Sequence, residues 1–108
     1  MSKISTHKPD SIEYAKLSSF RDMTNAMLTD TDYYLTLDNI YFDAGQDWMY
    51  TSPVTHNRNM TMDWQSLCPR DYEILLKCDT FEKMYKLAKT YVTSLLNNKQ
   101  INFKEVAA

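Results

Sequence analysis

Cys68, Cys78, His7 and His56 are the only thiols and imidazoles in this 108-residue chain. A Cys–His pair is the one route they offer to nucleophilic catalysis, with the imidazole taking the thiol proton. Their surroundings argue against it. Cys68 precedes Pro69 at an expected helix start, and Cys78 follows the apolar Leu75 and Leu76 at a helix boundary. Neither has the cluster of positive charge that activates a thiolate, so both read as reduced, buried structural cysteines. Zinc needs closely spaced ligand pairs, and these four side chains are scattered. Asp30-Thr31-Asp32 resembles the opening of a calcium loop, but Tyr34 takes the place of a ligand and Leu35 that of the sharp-turn glycine. For Asp30 with Asp32, and for Asp43 with Asp47, turn and cap chemistry is a plainer account than a bound cation. The single glycine, Gly45, excludes a glycine-rich phosphate cradle. The expectation is no catalytic residue, no metal and no cofactor.

What stands out is charge of one sign beside aromatic rings. From residue 22 to residue 57 the chain carries Asp22, Asp30, Asp32, Asp38, Asp43 and Asp47 and neither Lys nor Arg, although the net charge is only -2. Interleaved with these are Tyr33, Tyr34, Tyr41, Phe42, Trp48 and Tyr50. One account makes the rings core and the carboxylates a solvated sheet face. The other makes the block a contact surface, since clustered like charges destabilise a compact chain and become useful against a basic partner. On that account the partner-binding residues are Asp30, Asp32, Tyr34, Asp38, Tyr41, Asp43, Asp47, Trp48 and Tyr50, the exposed rings serving as anchors. Lys77, Lys83, Lys86 and Lys89, interspersed with acids, read as a solvated helix face and not as a nucleic-acid site.

The elements that must position this block follow from periodicity. Asp10 and Glu13 have capping-box form, and a helix behind them places Ile12, Ala15, Phe20, Met23, Ala26 and Met27 in one apolar sector. The Thr29-Asp30-Thr31-Asp32 run favours side chain to backbone bonds and ends it. Tyr33, Leu35 and Leu37 alternate with Tyr34, Thr36 and Asp38, which predicts a strand. Asp38-Asn39 supplies a hairpin turn, residues 40–43 the return strand and residues 47–51 a third; a helix over residues 32–42 is the competing reading. Residues 53–59 read as loop and residues 60–64 as a short strand. Pro69 suits a first helical position, with that helix running to Lys77. Asp79 and Glu82 form a second capping box, followed by the strongest pattern in the chain: Phe81, Met84, Tyr85, Ala88, Tyr91, Val92, Leu95 and Leu96 in one broad sector. Asn97-Asn98 stops that helix, and residues 101–103 suggest an edge strand.

Hydrophobic residues make up 44% and charged residues 24% of the chain, a globular composition. The expected organisation is a flexible arm over residues 1–9 and a single domain over residues 10–108. The expected fold class is α+β: an N-terminal helix, a small antiparallel sheet of two to four strands, and two C-terminal helices packed on it. Residues 1–7 lack a secretory leader's apolar stretch and no run spans a bilayer, so a cytoplasmic protein without membrane contact is expected.

With little glycine, many Tyr and Met, and a segregated acidic block, the chain resembles in composition small phage-encoded proteins that bind and inhibit host factors. That resemblance implies a non-enzymatic modulator or inhibitor in a host cytoplasm, acting on a basic protein partner and not directly on nucleic acid. The alternative is an assembly protein, a homo-oligomer joined through the C-terminal amphipathic helix. A small metal-dependent enzyme using clustered Asp stands third.

Overall fold

The computed structural model describes residues 3–5, 11–41 and 48–107, with backbone only for residues 3–5, 41, 48, 49, 60–64 and 107. Its elements run β1 (Lys3–Ser5), α1 (Ile12–Met27), β2 (Tyr33–Tyr41), β3 (Trp48–Asn57), β4 (Met60–Ser66), α2 (Pro69–Leu76), α3 (Phe81–Leu96) and α4 (Lys104–Ala107). The architecture is α+β: a helix, an antiparallel β2–β3–β4 sheet, and helices after it. β1, inside the segment expected as an arm, adds to β3 in parallel.

The caps of both long helices sit one residue later than the sequence suggested. Ser11 caps α1 by accepting the Tyr14 N–H at 3.1 Å, and Thr80 caps α3 by accepting the Lys83 N–H at 3.2 Å. A hydroxyl one residue nearer to the first turn reaches the N3 amide, and Asp79 instead accepts the Lys83 ammonium at 3.0 Å. Asp10 lies outside the described residues. α1 ends as expected, with the Thr29 hydroxyl donating to the Ala26 carbonyl and the Thr31 hydroxyl to that of Leu28.

The sheet departs more from the sequence reading. Asp38-Asn39 is no turn: β2 continues through it, pairing Asp38 with Ser52 and Asn39 with Thr51. Residues 53–59 are not one loop, because Val54, Thr55, His56 and Asn57 extend β3 before a turn at Arg58 and Asn59. Pro53 is tolerated inside a central strand for a local reason. β3 is flanked by β2 on one side, while β1 takes residues 48–50 and β4 takes residues 54–57 on the other. Among the described residues the nitrogen of Pro53 faces neither β1 nor β4, so no ladder bond to them is lost.

β2 is the margin of the sheet, and α1 covers its middle. The Asn25 amide donates to the Leu35 carbonyl at 3.0 Å and its oxygen accepts the Leu35 N–H at 2.7 Å. Leu35 therefore turns both backbone groups away from β3, and Leu37, two residues on, does the same opposite Pro53. The two observations set the same ladder phase.

The core lies between sheet and helices. Leu17, Phe20, Leu35, Leu75, Leu87, Ala88, Tyr91 and Phe103 are its most enclosed members. Phe20 meets Tyr91 edge-on at 5.5 Å and Phe103 at 5.9 Å, and the Thr55 and Tyr91 hydroxyls share a hydrogen bond. The α1 sector is rotated relative to expectation: Leu17 is buried, whereas Ile12, Ala15 and Ala26 are exposed. On α3 the buried line is Met84, Leu87, Ala88, Tyr91 and Leu95, and Phe81, Tyr85 and Leu96 stand 70%, 45% and 49% exposed. Residues 101–103 form no strand; Phe103 plugs the core and α4 follows. Among the described residues no helix is long and apolar enough to cross a membrane.

Candidate functional site

Period-two alternation puts Tyr34, Thr36 and Asp38 of β2 on the side of the strand opposite Leu35. The β2–β3 register sets His56 directly across from Tyr34. Their rings stack, centroids 5.0 Å apart and planes 20° from parallel. Arg58, at the turn that follows, lays its guanidinium 4.7 Å from the centre of the same tyrosine ring. The turn is tied to the strand: the Arg58 N–H donates to the Asp32 carbonyl at 2.8 Å, and the Asn59 amide donates to the Asp32 carboxylate at 2.6 Å.

The polar half of this face is equally connected. The Thr36 hydroxyl donates to Asp38 Oδ2 at 2.8 Å and lies 2.8 Å from His56 Nε2. With its single proton given to Asp38, Thr36 accepts from His56, so Nε2 carries a hydrogen. His56 Nε2 is also 3.6 Å from Asp38 Oδ2. Tyr34 and His56 are half-buried, and Asp32, Asp38, Arg58 and Asn59 are exposed. The stack and the guanidinium contact hold the Tyr34 and His56 rings against their neighbours. The face offers an aromatic plane, a guanidinium and two carboxylates.

Of the residues nominated from sequence, Asp32, Tyr34 and Asp38 come together here. Asp30 is exposed in the turn before β2, its carboxylate without a partner among the described residues. Tyr41 and Trp48 are placed by backbone only, at the end of β2 and the start of β3, and Asp43 and Asp47 lie outside the described residues. Tyr50 is a correction. It is only 3% exposed and stacks on Tyr72 at 4.6 Å, buried where β3 meets α2, and burial raises its hydroxyl pKa above 10.0. It cannot be a surface anchor. Asp22 sits apart on α1, paired with Arg21 at 3.1 Å. The block is therefore acidic in sequence but mixed in space, because β3 returns His56 and Arg58 to it. Those two residues were missed because Pro53 made their segment look like loop; the β-branched Val54 and Thr55 beside them were the overlooked strand signal.

The cysteines part company. Cys78 is buried, and burial raises its thiol pKa against the opposing pull of Lys16 and Lys83. Cys68, expected buried, is exposed at the N-cap of α2 and makes no hydrogen bond to His56. His7 lies outside the described residues. Among the described residues no group of three His, Cys, Asp or Glu side chains could hold a metal ion. Comparison with protein-family models, curated proteins and solved structures yields no match.

Proposed function

We propose that this chain is a non-enzymatic, cytoplasmic protein-binding module that modulates or inhibits a partner through the outer face of β2 and β3. The observation that carries this reading is the Tyr34 ring held beside both His56 and Arg58, with Asp32 and Asp38 at its margins. Tyr and Arg are the side chains that most often supply interface energy, and a ring already fixed by neighbours needs little further ordering. Asp30, Asp32 and Asp38 bias the face toward a partner presenting Lys or Arg. The test is affinity capture from a host lysate followed by kinetics on the captured protein. Asp30→Asn with Asp38→Asn should slow association and flatten its salt dependence, and Tyr34→Ala should act mainly on dissociation. A partner bound equally well by both variants would sink the reading.

A second reading, self-assembly through α3, is favoured by the exposed Phe81, Tyr85 and Leu96. With half-buried Val92 they form one stripe, and positions 81 and 96 share their midpoint with 85 and 92. Antiparallel pairing of two copies would lay Phe81 on Leu96 and Tyr85 on Val92, the self-complementarity a two-fold interface requires. Sedimentation equilibrium decides: Phe81→Ser with Leu96→Ser should convert a dimer to monomer, and a wild-type chain that stays monomeric at high concentration removes this reading.

A further inference from the structure

Next to the Tyr34 stack, and sharing His56 with it, a cleft of about 490 Å³ opens between the β3–β4 ladder, the start of α2 and the end of α3. That volume is in the range of small-molecule sites. At its inner wall lies Asp71, in the first turn of α2 and only 1% exposed. Its Oδ1 accepts the Phe103 N–H at 3.1 Å, and the carboxylate makes no ion pair among the described residues. The other oxygen is not sealed in protein, since among the described residues Thr24 Oγ1 is the one enclosed side-chain atom without a partner. Asp71 Oδ2 therefore reaches the cleft that Asp71 lines.

A carboxylate taken out of water is costly unless a cation or several donors meet it. One amide and the start of a short helix answer only part of that demand. Across the cleft, Asn98 adopts the left-handed conformation, φ 55°. The turn it makes is fixed by the Lys99 N–H donating to the Ser94 carbonyl at 2.8 Å. It carries Lys99 to the rim, where its ammonium has no partner among the described residues. Between the two charges, Gln65, Ser94 and Gln100 have side chains not engaged in hydrogen bonds among the described residues, and Leu95 and Ile101 supply apolar wall.

We propose that this cleft binds a small zwitterion, its ammonium group on the Asp71 carboxylate, its carboxylate on Lys99 and a short alkyl body along Leu95 and Ile101. Two opposite charges held apart by a neutral, partly apolar wall match a molecule with the same separation and reject one carrying a single charge.

The full chain, labelled with ¹⁵N, is titrated with β-alanine, γ-aminobutyrate, 5-aminovalerate and 6-aminohexanoate while amide shifts are followed. Saturable shifts should appear at Asp71 and across residues 98–103, strongest for one chain length. The N-acetyl and methyl-ester forms of that compound should bind about tenfold more weakly or worse, as loss of a charge-assisted contact implies. Asp71→Asn, which keeps an oxygen for Phe103, should lose binding to the same extent. Should that variant fail to fold, Lys99→Met, at an exposed position, carries the test with the same expectation. Shifts that do not saturate with any of the four compounds, capped forms that bind as well as the parent, or undiminished binding by Lys99→Met would each overturn the proposal.

Discussion

Leu35 and Thr55 face the helices; Tyr34 and His56, their immediate neighbours in the same paired strands, face outward. On the inner side Leu35 is almost fully enclosed, and Thr55 shares its hydroxyl bond with Tyr91, whose ring meets Phe20 edge-on. On the outer side Tyr34 and His56, both half-buried, hold each other and Arg58. The inner side is stabilised by removing aromatic area from water, whereas the outer side gains little from burial and instead holds its side chains in one arrangement. The two faces of one strand pair are thus held differently, the inner one by enclosure against rings of α1 and α3 and the outer one by a ring stack of its own.

The sharpest way to break this contrast is Tyr91→Ala. Removing a fully buried ring should destabilise the fold by about 3–5 kcal/mol in denaturant titration, and a loss below about 0.5 kcal/mol would mean that α3 is not a core element. Alkali tests the same residue without mutation. Burial holds the Tyr91 hydroxyl up to about 12 from 10.0, with the Thr55 bond pulling the other way. Because the folded value exceeds the unfolded one, this stabilisation is complete below pH 10 and is lost as pH rises from about 10 through about 12, on the order of 2–3 kcal/mol. The last part of the tyrosinate absorbance, to which Tyr91 contributes, should therefore appear together with unfolding. Asn25→Ala comes next: it strips both partners from the Leu35 backbone and should cost about 1–3 kcal/mol. Smallest is Asp38→Asn, expected to change stability by no more than about 0.5 kcal/mol because its contacts with Thr36 and His56 are solvent-exposed. A larger loss would give the outer face a structural role in place of the proposed one in recognition.

Much of the helical frame was legible because capping residues and a period near 3.6 act locally. Pro69 begins α2, Asn98 takes the left-handed stop beyond α3, and the threonines at 29 and 31 end α1. The rotation of the α3 sector was not legible. Leu87 and Phe81 are comparably apolar, and only the position of α1 and the sheet decides that Leu87 is enclosed while Phe81 meets solvent. The extent of β3 was hidden for a related reason: whether a proline ends a strand depends on what lies along the edge its nitrogen faces, which is a property of the sheet and not of the local sequence. The candidate site was half visible. Strand alternation pointed to Tyr34 and Asp38, but His56 and Arg58 join them through a cross-strand register that no local pattern records.

The Asn25 clasp bears on how the molecule behaves when crowded. An uncovered marginal strand offers a repeating row of donors and acceptors onto which a second chain can grow, the first step toward fibrous aggregates. Here a helix side chain imitates one residue of a neighbouring strand and occupies the Leu35 position of that row on β2. A strand approaching from this side would have to displace α1 before it could pair in register. Solubility on this margin thus depends on a single amide, and variants lacking it should form sheet-rich aggregates under conditions where other equally destabilised variants merely unfold.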